Sequence, residues 1–147
     1  MQVARSGQGM YFLQIVFTVV LLACSVYASI LGGRTGRMGA AIFVIATVLS
    51  NIAARYNPDW ASTSFGVLWV DTACLVGLLV LALRSNRYWP IWALGFQTIA
   101  VATHLATIIA PDIVPRAYQA IAAFWSIPIL AAMVTGTTLD WQHSQRT

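Results

Sequence analysis

The sequence contains no lysine and no glutamate, and its charged residues, eight arginines and four aspartates, make up only 8% of 147 positions. Soluble domains carry roughly a quarter charged residues, so a soluble enzyme domain and a solvated, disordered tail are both excluded. Cysteine is nearly as scarce. Cys24 and Cys74 lie in separate apolar runs with no C-x-x-C spacing, which excludes a disulfide scaffold and leaves zinc and dithiol chemistry without ligands. Both read as small buried apolar thiols. A pI of about 9.6 invites a nucleic-acid partner, yet the arginines fall in ones and twos and never form a basic stripe. Paired carboxylates, an H-E-x-x-H motif and a Ser, His and Asp order are all missing, so no residue is nominated as catalytic or as a metal ligand. The stretch Gly32-Gly33-Arg34-Thr35-Gly36-Arg37 lacks the lysine and the preceding strand of a phosphate loop. It reads as a flexible turn that sets two arginines at the membrane surface.

What the chain has in abundance is apolar length: 59% of its residues are hydrophobic and its mean hydropathy is +0.76. A hydrocarbon core of ~30 Å takes ~20 helical residues, and five stretches approach that length: 11–31, 39–54, 65–83, 91–110 and 120–139. Backbone groups left unpaired in lipid are intolerable, so each should be an α-helix. The second is short, but Arg37 and Arg55 at its ends can reach back to the headgroups and let it span; a re-entrant segment is the alternative. Gly, Pro, Asn and Ser clusters separate the stretches, and the short connections force sequence neighbours to pack antiparallel. The prediction is an all-α, single-domain transmembrane bundle over residues 1–147, with five spans or with four spans and a re-entrant segment. Arg5 and Val26-Tyr27-Ala28 imitate a signal peptide, but the run between them is of spanning length and should be retained.

Five spans put Arg34, Arg37, Arg84, Arg87 and Arg146 on one side and Arg5, Arg55 and Arg116 on the other. The positive-inside bias then places the C-terminus in the cytoplasm and the N-terminus outside. Were 39–54 only re-entrant, the count would be four to four. Trp89, Trp92, Trp141, Tyr88, Trp60, Tyr56 and Tyr118 fall near predicted helix ends and read as interfacial anchors. The expected location is a membrane crossed several times, in a bacterium the inner one.

Asp71 and His104 are the only ionisable side chains well inside predicted spans, where such groups are costly enough to mark a candidate site. Each stands six positions from the outer boundary of its span, roughly 9 Å down at 1.5 Å per residue. On adjacent antiparallel helices they should meet. Asn51, Thr72, Thr103, Thr107 and Ser126 fall at similar heights, and with the pair they suggest a polar ligand-binding pocket in the outer half. Gln97, Ala100, His104 and Thr107 share one helix face, and Pro128 is expected to free a carbonyl in the fifth span. A plain interhelical link between Asp71 and His104 is the alternative to a ligand site.

Ala100 and His104 form A-x-x-x-H, which resembles the ligand helix of bacterial light-harvesting polypeptides. That resemblance covers five residues and implies His104 as an axial, cofactor-binding ligand to haem or chlorin. A quinone or another small apolar molecule bonded by the pair is a second reading, and proton or ion passage a third. The chain lacks the intramembrane Glu on which the glutathione-transferase-like membrane proteins and the small multidrug exporters rely. Polar groups at one depth, with Leu75, Leu78, Leu79, Val80 and Leu81 beneath them, favour binding over passage. The sequence thus points to a non-enzymatic integral membrane subunit, or a small apolar ligand- or cofactor-binding protein of a membrane complex. The alternative is a small proton- or ion-coupled transporter or channel using Asp71 and His104. Ala123, Ala131, Ala132 and Gly136 offer surfaces for close packing within the bundle, against other membrane subunits or against a second copy, besides the lipid bilayer itself.

Overall fold

The computed structural model describes residues 2–56, 65–109 and 124–146, and these form five helices: α1 (Gln2–Leu31), α2 (Gly33–Tyr56), α3 (Phe65–Arg84), α4 (Trp89–Ile109) and α5 (Ser126–Ser144). Four of them, over Gln14–Leu31, Gly33–Arg55, Phe65–Arg84 and Trp89–Ile109, are long and apolar enough to cross a membrane. Among the described residues α5 is not, because its last turns carry Asp140, Gln142 and His143. Residues 120–123 of the predicted fifth stretch lie outside the described residues, as do the turn 57–64, Pro111, Asp112, Pro115, Arg116 and Tyr118. Asp140, one residue past the predicted fifth stretch, belongs to α5. Pro128 stands in the first turn of α5, and the helical run is interrupted at Trp125 just before it, one turn ahead of the proline whose missing N–H cannot bond the Phe124 carbonyl.

The second helix differs most from expectation. It begins at Gly33, and the predicted flexible turn over Gly32–Arg37 shrinks to a bend at Gly32. Gly33 takes φ 57°, a left-handed conformation that a residue without Cβ reaches at little cost. The Gly32 amide donates to the Ala28 carbonyl at 2.8 Å and the Gly36 amide to the Gly32 carbonyl at 2.9 Å, so helical bonding resumes one residue past the joint. Gly33→Ala is expected to destabilise the protein by about 1–2 kcal/mol, and Gly33→Asn by less. Thermal unfolding in detergent tests this; an alanine variant as stable as the original would refute it.

Each helix packs on its neighbour in sequence, and α5 returns to pack on α1, closing a ring. Helices α3 and α4 are antiparallel, since Asp71 near the start of one meets His104 near the end of the other. Arg87, just before α4, pairs with Asp140 late in α5 at 3.1 Å, so these two are antiparallel as well. The closing seam is different: Tyr27 late in α1 bonds Thr138 late in α5 at 2.9 Å, so α1 and α5 run parallel.

Leu21, Phe43, Cys74, Leu78, Leu81, Ile129, Leu130 and Met133 fill the interior. Trp69, Leu83, Ile109 and many other large apolar side chains point outward, as suits a bundle with a lipid-facing exterior. Trp89 corrects the interfacial expectation. It is only 3% exposed, whereas Tyr88, Trp92 and Trp141 are exposed. Its indole lies inside the arginine-rich end of the ring, between two glycines. A Cβ added at Gly136 of α5 would stand 2.7 Å from its Cγ, and one at Gly39 of α2 would stand 3.2 Å from its Cζ2.

Candidate functional site

Asp71 lies two turns into α3 and His104 two turns before the end of α4, and the antiparallel packing of the two helices levels them. His104 Nε2 is 3.0 Å from Asp71 Oδ2. Gln97, two turns along the same face of α4, donates from Nε2 to the Asp71 carbonyl at 3.2 Å and toward Asp71 Oδ1 at 3.5 Å. The carboxyl group is therefore approached by a nitrogen on each oxygen. His104 and Gln97 are buried, while Asp71 is partly open.

The threonines near this cluster bond back to their own helices. Thr103 donates to Ile99 O at 2.8 Å, Thr107 to His104 O at 2.8 Å, and Thr72 to Leu68 O at 2.8 Å. Such back-bonding keeps the hydroxyl hydrogens within the helix and leaves oxygen lone pairs facing outward. Thr103 and Thr107 are both buried beside His104. Ser126 opens α5 and is half-buried; its neighbour Trp125 stacks on Phe96 of α4 with ring centroids 6.1 Å apart.

Asn51 belongs to a different place. Its side-chain oxygen accepts from Gln14 Nε2 of α1, and its Nδ2 donates to Thr47 O at 2.8 Å. Gln14, Thr18, Asn51 and Arg55 line a 720 Å³ groove between α1 and α2. A second groove, of 410 Å³, runs between α4 and α5 near the arginine-rich end. Neither contains Asp71 or His104.

Two contributors escaped the sequence reading of the site. Gln97 was visible as a same-face neighbour of His104 but was not nominated to hold Asp71. Gln14 sits alone in an apolar run, and only the packing of α1 on α2 reveals its link to Asn51.

A macrocycle on His104 does not fit this geometry. The Nε2 nitrogen is engaged by Asp71, and Ala100, which should clear space for a flat ring, is itself buried. Among the described residues no three His, Cys or Asp side chains converge as a metal site would need. What the cluster can do is tie a carboxyl to an imidazole across two helices and present the open side of that carboxyl to a hydrogen-bonding group.

Comparison of the chain with protein-family models, with curated proteins and with solved structures finds no match.

Proposed function

We propose that the protein is a non-enzymatic integral membrane protein of five spans, with its N-terminus outside and its C-terminus in the cytoplasm. It holds a small apolar molecule through Asp71, His104 and Gln97 in the outer half of the bilayer, as a subunit of a membrane complex. In a bacterium its place is the inner membrane. The observation that carries this reading is the seal beneath the cluster: Leu78 and Met133 are 0% exposed, and Leu81 and Trp89 are buried with them. That apolar seal favours holding over transport. The cluster can be reached from one side, because the Asp71 side chain is 22% exposed against 9% for His104. An apolar molecule with a carbonyl or hydroxyl head, a quinone among them, would meet the carboxyl first.

The protein purified in mild detergent is expected to carry such a molecule, detected by extraction and by absorption from the ultraviolet to the near infrared. His104→Leu should lower that content several-fold while membrane insertion stays intact, since an apolar residue makes a better span. Proton or ion movement in liposomes, abolished by Asp71→Asn, would replace this reading with the transporter.

A further inference from the structure

The α4–α5 groove lies at the opposite end of the bundle from Asp71, and its chemistry is different. Exposed Trp92 and half-buried Phe96 wall one side, and Ala131, Ala132, Thr135 and Gly136 floor it. From Leu139 to Pro128 along α5 the lining extends roughly 17 Å, and from Tyr88 to Phe96 along α4 roughly 12 Å, at 1.5 Å per residue. One leaflet occupies half of a ~30 Å hydrocarbon core, so the groove has the length of a single acyl layer. A spanning partner helix would leave it halfway, at Phe96 and Pro128.

Charge decides what sits at the mouth. Arg87 is beside the groove's arginine-rich end, where its Nη1 pairs with Asp140 at 3.1 Å and its side chain remains 45% exposed. A guanidinium has five N–H donors, so this bond leaves others for a second anion. Arg84 and Arg146 are exposed at the same end, and Asp140 is the only carboxylate side chain there among the described residues. Tyr88, exposed and lining the mouth, adds a hydroxyl at headgroup level, where such rings settle.

We infer that this groove binds one anionic glycerophospholipid, with an acyl chain lying along Ala131, Ala132, Thr135 and Gly136 and its phosphate on the Arg87 guanidinium. The inference is independent of any ligand at Asp71 and His104.

Native mass spectrometry tests it on the full chain released from nanodiscs holding equal phosphatidylglycerol and phosphatidylcholine with the same acyl chains. One phosphatidylglycerol should be retained about fivefold in preference, the ratio that ~1 kcal/mol per basic residue near an anionic surface gives. Arg87→Gln should bring the ratio close to one. Asp140→Asn breaks the same ion pair but keeps the cation, so it should preserve or raise the preference; it also controls for damage caused by losing the pair. Thr135→Leu, which fills the groove, should lower retention of both lipids. Equal retention by the original protein would overturn the inference, as would a preference that survives Arg87→Gln or is lost equally in Asp140→Asn. Disulfide capture of a second copy through Thr135→Cys in the membrane would assign the groove to that copy and overturn it as well.

Discussion

Gly39→Ala is expected to destabilise the bundle by about 1–3 kcal/mol, the usual range for overpacking a filled interior, and to lose that effect when Trp89 is leucine. The far edge of the Trp89 indole occupies the space an alanine at Gly39 would need: the new Cβ would lie 3.2 Å from Cζ2 and closer still to Cη2. Leucine does not extend so far. Gly136→Ala should behave differently, because its Cβ would collide with the root of Trp89, at 2.7 Å from Cγ and nearer still to Cβ. Leucine keeps both of those atoms, so Trp89→Leu should not rescue it. Trp89→Leu alone leaves part of a slot between α2 and α5 empty, a cavity cost of a few kcal/mol. Reversible unfolding in mixed detergent micelles, run as two double-mutant cycles, gives the comparison. Equal cost of Gly39→Ala in both backgrounds would show that the indole is not what the glycine accommodates.

The second large effect concerns the intramembrane pair. His104→Leu alone is expected to destabilise more than Asp71→Leu and His104→Leu together, with a coupling energy of about 1–2 kcal/mol between the two sites. Two magnitudes compete here. Breaking a buried ion pair in a soluble protein costs ~3–5 kcal/mol because one charge is stranded, whereas interhelical polar contacts in membranes average ~0.6 and reach ~1.7 kcal/mol. Without His104 the Asp71 carboxyl keeps its contact with Gln97, which holds the value near the membrane range. The pairing distance of 3.0 Å and the second nitrogen on the carboxyl place it at the top of that range. Strictly additive single changes would show that the contact contributes nothing to folding.

The helices and their order were legible in the sequence because apolar length alone marks a helix in lipid. Asp71 and His104 could be matched for the same reason: equal depth on adjacent antiparallel helices leaves them little choice but to meet. The start of α2 was not legible. Gly32-Gly33-Arg34-Thr35-Gly36-Arg37 has the composition of a turn, yet one left-handed residue at Gly33 completes the reversal and leaves the others free to be helical. Trp89 misled for a related reason. A tryptophan beside a helix end ordinarily settles among headgroups, and nothing local reports that Gly39 and Gly136, fifty and forty-seven residues away in either direction, open a slot for it. Asn51 was read by depth alone, and depth does not distinguish the α1 side of α2 from the α3 side.

The parallel seam between α1 and α5 has a consequence for how the protein is made. Among the described helices, every other contact in the ring joins neighbours in the order α1 to α5 and can form as soon as the second of them leaves the ribosome. The Tyr27 and Thr138 bond joins residues 111 positions apart, so α1 must wait with one flank bare while α2, α3 and α4 are made. Contacts of such long sequence separation form late. A ribosome stalled before Ser126 would therefore leave an open horseshoe whose exposed edge includes Tyr27, which bonds Thr138 once the ring is closed. That edge disappears when α5 docks.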